Sequence, residues 1–200
     1  MRVIDVAQRS EQWDRLRARP TASQFYRFCT PAKGAYASQA TVYAAEIVAK
    51  RLGVYTESPP SYWMERGTEM EPHAKASYTA ETGREIVDVG FLVPDHTEAY
   101  GGSPDGLVDG GLIEIKCPKP EKVIQYHAEG TMPDEYKPQV QGLLWISGLP
   151  WCDFYGWHEG LTPFLYRVEA DPKYHEKLEA CMAKLLDEIE RIEKAMEVKW

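Results

Sequence analysis

A chain of 200 residues with 44% hydrophobic and 27% charged side chains is long enough to bury one continuous core, which excludes a low-complexity or disordered protein. The four cysteines (Cys29, Cys117, Cys152 and Cys181) are too scattered for a zinc ribbon or a thiol redox motif and are expected to be small buried hydrophobes. The formal net charge of −8 argues against a uniformly basic surface, yet residues 1–53 hold nine Lys or Arg against four acids, a balance of +5 that leaves −13 for the other 147.

Met1 to Ser10 mixes Arg2, Asp5 and Arg9 with short apolar pieces, so no leader-like apolar core is present there. Because no later stretch approaches the length of a membrane span either, a cytoplasmic protein without membrane contact is expected. Ser38 to Leu52 is predicted to be a helix capped by Ser38, with Ala40, Tyr43, Ala44, Ile47 and Val48 as its apolar stripe and Gly53 past its end. The break Glu57-Ser58-Pro59-Pro60 precedes a second helix from about Ser61 to Thr82, carrying Trp63, Met70, Ala74 and Tyr78 at helical spacing. Pro72 predicts a kink or short break in it just after Glu71. The period then shortens to two, and Ile86, Val87, Val89, Phe91 and Val93 read as a strand ending at Pro94-Asp95.

Two short strands, Gly106-Leu107-Val108 and Leu112 to Lys116, flank Asp109-Gly110-Gly111, whose glycines suit the positive φ of a tight hairpin. Glu121 to Glu129 and Pro133 to Ser147 are predicted helices, Trp151 to His158 and Phe164 to Glu169 strands, and the tail from Pro172 a long amphipathic helix. No repeat or second composition regime appears, so residues 1–200 are read as one domain of α/β or α+β type.

The segment with chemistry in it is Ser103-Pro104-Asp105-Gly106, followed by Glu114-Ile115-Lys116. Alternate strand residues share a face, so Glu114 and Lys116 point the same way about 7 Å apart while Ile113 and Ile115 turn into the core. The hairpin folds the chain back and sets Asp105 beside Glu114. Two hard carboxylates so close favour a hard divalent cation, magnesium being the natural one, able to polarise a phosphate and acidify bound water. Lys116 is then placed to orient or deprotonate that water, or to hold the phosphate.

Ser103-Pro104-Asp105-Gly106-Leu107 and Glu114-Ile115-Lys116-Cys117-Pro118 resemble the core motif of the bacteriophage lambda exonuclease family, the YqaJ-like viral recombinases of the PD-(D/E)xK nuclease superfamily. Three more motifs, in order, are similar to that family's: Trp13-Asp14-Arg15-Leu16-Arg17 with Thr21-Ala22-Ser23, Arg66-Gly67-Thr68-Glu69-Met70-Glu71, and Tyr136 with Gln139-Val140-Gln141. The resemblance implies a restriction-endonuclease-like core, a mixed central β-sheet flanked by helices. It implies that Asp105, Glu114 and the backbone carbonyl of Ile115 bind catalytic Mg²⁺, two ions with Mn²⁺ as a substitute, and that Glu71 supports the second ion. Lys116 would act on the attacking water, Gln141 would position Lys116 or the substrate, and Arg17, Ser23 and Ser103 would hold a 5′-phosphate.

The implied activity is 5′ to 3′ digestion of one strand of linear double-stranded DNA to mononucleotides, leaving a 3′ overhang. A ring-shaped homotrimer, a single-strand-annealing partner protein and a phage or prophage origin in a bacterial host belong to the same expectation. Pro72 and Pro138 depart from the pattern and put the backbone placement of Glu71 and Gln141 in question. Phe25, Tyr26, Phe28 and Tyr36 are candidates for a strand-separating wedge, and Trp145, Trp151 and Trp157 for core or interface. A PD-(D/E)xK endonuclease and a non-cleaving DNA-end-binding recombination module are the alternatives.

Overall fold

A computed structural model describes residues 1–56, 59 and 61–197, so most of the break predicted at 57–60 lies outside the described residues. In chain order the elements are β1 (Arg2–Ile4), α1 (Glu11–Leu16), a 3-10 turn (Ala22–Arg27), α2 (Ala40–Arg51), α3 (Tyr62–Thr82), β2 (Phe91–Val93), β3 (Gly106–Val108), β4 (Gly111–Lys116), α4 (Pro120–Glu129), a 3-10 turn (Asp134–Tyr136), α5 (Lys137–Ser147), β5 (Trp151–Gly156), β6 (Phe164–Glu169) and α6 (Pro172–Glu197).

The centre is a four-stranded mixed sheet in the order β3-β4-β5-β6. β3 and β4 form an antiparallel hairpin in which Val108 faces Gly111, leaving Asp109 and Gly110 as a two-residue loop at φ 44° and 82°. Both central residues thus take the left-handed conformation that the right-handed strand twist selects. Gly111 is needed for another reason: a Cβ there would lie 2.3 Å from the Trp151 ring. β4 then pairs parallel with β5, which requires the long crossover through α4 and α5, and β6 returns antiparallel to β5.

Alternation along these strands separates two apolar layers. Leu112, Cys152 and Phe154 pack with Phe25, Leu143, Leu144 and the α2 and α6 stripes. Ile113, Ile115 and Tyr155 pack under Ala74 and Tyr78 of α3. Burial of each such side chain stabilises by about 1.5–3 kcal/mol, and the resulting helix-sheet-helix sandwich is the predicted mixed sheet flanked by helices. All four cysteines are buried and free, as expected. No helix among the described residues is long and apolar enough to cross a membrane.

Local expectations are corrected in four places. α2 starts at Ala40 with no side-chain cap; Ser38 is not used, because backbone bonds from Ala37 to Phe28 and from Ala40 to Ala37 already turn the chain. α3 runs unbroken through Pro72, which sits on the exposed side while Ala74 and Tyr78 anchor the other. The strand predicted over 86–93 shrinks to Phe91–Val93, since the segment changes partner: Val87 bridges Leu107, whereas Phe91–Val93 pair with β1. Gly90 lies at that change, where a Cβ would stand 2.4 Å from the Val6 carbonyl. Finally, Pro133–Tyr136 stays outside the α-helix and forms the cap and body of a 3-10 turn before α5.

Candidate active site

β4 builds the centre. Its outer residues Ile113 and Ile115 are fixed in the α3 layer, which turns Glu114 and Lys116 toward α5. The chain entering β3 returns antiparallel, and Asp105 is locked against β4 at both ends: its N–H donates to the Ile113 carbonyl at 3.2 Å, and its Oδ2 accepts from the Ile115 N–H at 2.6 Å. Asp105, Glu114 and Lys116 are therefore brought together as the motif spacing predicts.

Glu114 is 2% exposed. Its Oε1 accepts from Lys116 Nζ at 2.5 Å and from Gln139 Nε2 at 2.6 Å, while its Oε2 is buried without any hydrogen-bond partner. Lys116 Nζ also reaches Gln139 Oε1 at 3.2 Å and lies over the Tyr136 ring, 5.3 Å from its centre. Burial, then the neighbouring charges of Glu114 and Glu71, push the Asp105 carboxyl well above the ordinary aspartate range, against the opposing effects of Lys116 and the Ile115 N–H. Burial alone would lower Lys116, but Glu114 and Asp105 override it and raise the ammonium.

This arrangement suits a hard cation. An orphaned carboxylate oxygen beside a second carboxyl that resists ionisation is costly in an apolar setting, and a divalent ion relieves both. Glu71 stands somewhat apart on α3, paired with Arg9 at 2.7 Å and Lys75 at 3.2 Å, and among the described residues no three His, Cys, Asp or Glu converge closely enough to enclose a metal. It nevertheless lines the same 440 Å³ cleft as Ile115 and Lys116, with Trp63 and Met64 on the wall.

Of the three residues assigned to a 5′-phosphate, Arg17 and Ser103 flank Trp13. The Arg17 guanidinium lies 4.6 Å from the Trp13 ring centre, and Trp13 Nε1 donates to Ser103 Oγ at 2.7 Å. Ser23 is tied to the Ser103 loop through the Ala22 N–H to Gly101 carbonyl bond, but it opens into a different cavity from Arg17. Arg17 borders a 230 Å³ cavity with Arg27 and Lys50.

Gln141 is not placed to position Lys116. It is buried and holds the Glu169 carbonyl, the Asp171 N–H and His175, all at the opposite end of the layer. Gln139 makes the contact to Lys116 that was expected of Gln141. Residues two apart on a helix point to nearly opposite sides, so only one glutamine of a Gln-x-Gln pair can face the strand, and the motif alone does not say which. Phe25 and Phe28 are fully buried and cannot act as a wedge, whereas Tyr26 and Tyr36 are exposed. Three members of the basic excess of the first 53 residues pair with acids from outside that segment, Arg2 with Glu98, Arg9 with Glu71 and Arg51 with Glu193, so the excess is not displayed as a bare stripe. Asp95, past the end of β2, binds the N-terminal ammonium at 2.8 Å. Trp13 and Arg9 were the less legible members: Trp13 lay within a motif without an assigned task, and no sequence pattern marks the pairing of Arg9 with Glu71, 62 residues away.

The family model of the YqaJ-like viral recombinase domain matches residues 12–150. The chain belongs to that family. The YqaJ-like region takes in every motif from Trp13 to the end of α5 and stops just before β5. Solved structures agree with it: LHK-Exo in complex with dAMP superposes with a TM-score of 0.84 at 34% identity, covering 95% of this chain and 97% of the other. The alkaline exonuclease LHK-Exo from Laribacter hongkongensis gives 0.80 at 35% identity, covering 96% and 100%. A phage-related exonuclease from Haemophilus somnus 129PT, at 14% identity, shares the fold with a TM-score of 0.72 over 89% and 96% of the two chains. No curated protein sequence matches.

Proposed function

We propose that this YqaJ-like protein is a Mg²⁺-dependent exonuclease that enters linear double-stranded DNA at its ends, digests one strand 5′ to 3′ to mononucleotides and leaves a 3′ overhang. The observation that carries the reading is the unpartnered, buried Oε2 of Glu114 beside Asp105 and Lys116. A relative supports the class: both structures above 30% identity are of one exonuclease, LHK-Exo, and one of them holds dAMP, a mononucleotide of the kind digestion releases.

Asp105, Glu114 and the Ile115 carbonyl would hold the ions, with Glu71 at the second, and Mn²⁺ would substitute. The bound cations would supply Lewis acidity toward the scissile phosphate and the attacking water. The chain's own residues do the rest. Lys116 keeps its proton while Glu114 and Asp105 face it, and it becomes available to orient or take a proton from the water once those carboxylates are engaged elsewhere. Gln139 bridges Glu114 and Lys116 and holds both in register. Arg17 and Ser103 offer a guanidinium and a hydroxyl to a terminal phosphate, with Ser23 near by. A homotrimeric ring and a single-strand-annealing partner belong to this reading, the first to be read out by sedimentation.

Digestion of a linear duplex with 5′-phosphate ends, the same duplex with 5′-hydroxyl ends, and a closed circle tests the proposal. Strand-selective loss confined to linear DNA and faster from phosphorylated ends is expected. Cutting of the circle would establish an endonuclease instead, and retention without cleavage a binding module.

A further inference from the structure

Tyr136 forms a wall of two cavities: the cleft with Lys116 and Glu71, and a second space of 340 Å³ between Ser23, Tyr26, Pro31, Glu135, Tyr136 and Gln139. The second is unlike the cationic cavity beside Arg17. Its lining holds no Lys or Arg, and its one charged member is the acid Glu135, so it disfavours a phosphate. It offers instead two phenol rings, a proline face and a rim of hydroxyl, amide and carboxylate, the mixture that suits a flat heterocycle with polar edges.

Two features give it a place in the reaction. Gln139, in the lining of the space, is bonded to both Glu114 and Lys116, so the cavity lies one side chain from the reacting centre. Tyr26 stands 47% exposed on the Ala22–Arg27 turn, an aromatic surface that the core does not use, although its neighbours Phe25 and Phe28 are fully buried. Tyr136, by contrast, is pinned by Tyr126 and by the Lys116 ammonium above its ring.

Resting on the exonuclease reading, we propose that this cavity receives the base of the nucleotide being released, stacked on Tyr26 against the fixed Tyr136 wall, while its phosphodiester lies over Asp105 and Glu114. Stacking on a phenol accepts every base, which fits digestion that must proceed through any sequence. Tyr26 is then a substrate-positioning residue, and the pocket draws the terminal base away from its pairing partner.

The test compares KM and kcat for two 5′-phosphorylated duplexes, one with an intact terminal nucleotide and one abasic at that nucleotide, using wild type, Tyr26→Phe and Tyr26→Ala. In wild type the abasic end is expected to raise KM roughly ten-fold, the size of one lost stack, with a smaller effect on kcat. Tyr26→Phe should behave as wild type; Tyr26→Ala should show the raised KM on intact ends and no further penalty on abasic ones, with an unchanged thermal midpoint. An equal abasic penalty in wild type and Tyr26→Ala, or none in wild type, overturns the base pocket alone. Failure of wild type to digest either duplex overturns the exonuclease reading and the pocket with it.

Discussion

At the scale of single residues, the centre is poised against itself. Burial, and after it the charge of Glu114, makes the Asp105 carboxyl resist ionisation, and Lys116 satisfies only one Glu114 oxygen. Such a site gives up stability for function. Asp105→Asn should therefore abolish digestion and yet raise the stability of the metal-free protein by roughly 0.5–2 kcal/mol, measured by urea unfolding in chelator. A loss of stability would mean that the bond to the Ile115 N–H outweighs the cost of burying the carboxyl beside Glu114. The two glutamines should separate cleanly. Gln139→Leu is expected to reduce kcat about 10–100-fold with little change in stability. Gln141→Leu should leave the turnover of folded protein intact but cost about 1–3 kcal/mol, because the Asp171 N–H and the Glu169 carbonyl lose their partner.

At the scale of elements, α5, β6 and α6 meet at His175, which accepts no proton easily: burial lowers it, against smaller raising effects of Asp171 and Gln141. Its folded pKa lies below the ordinary value of about 6.5, so the unfolded chain binds the extra proton first. The contribution is present above about pH 6.5 and is lost as pH falls below it. The urea midpoint should fall between pH 7 and 5.5, and His175→Gln should flatten that fall; an unchanged slope would place the titration elsewhere. α3 permits a second check. Pro72 interrupts the bonding of a helix that stays continuous, so Pro72→Ala should stabilise by up to about 3 kcal/mol in a thermal melt, and destabilisation would show that the proline ring packs usefully. Most elements were legible from periodicity and punctuation: the β3–β4 hairpin from its Asp-Gly, and α6 from its long stripe. What escaped was non-local. β1 has too few residues to show a period, and the shortening of the 86–93 strand depends on a change of pairing partner at Gly90 that no local pattern reveals.

At the scale of the whole molecule, the mixed sheet between two helical layers holds the C-terminal end of β4 at a cleft while β3 and β5 flank the strand. Asp105, Glu114 and Lys116 were readable because hairpin and strand geometry are local, whereas the choice between Gln139 and Gln141 depended on how α5 is rotated against β4. The +5 balance of the first 53 residues was readable as composition but not as a surface, since Arg2, Arg9 and Arg51 find acids from distant segments. Divalent binding should couple to the global stability of the fold. Mg²⁺ at about 100 times its dissociation constant should add about 2.7 kcal/mol, and the resulting rise in thermal midpoint should disappear in Glu114→Gln. An equal rise in that variant would move the ion to another site.

The most direct single measurement is the rate at which Lys116→Ala digests a linear 5′-phosphorylated duplex in Mg²⁺, beside wild type at equal folded concentration. A loss of about 10²- to 10⁴-fold, with thermal stability retained, is the expected result for a group that handles the attacking water. Digestion at the wild-type rate would remove Lys116, and with it the centre built on β4, from the chemistry.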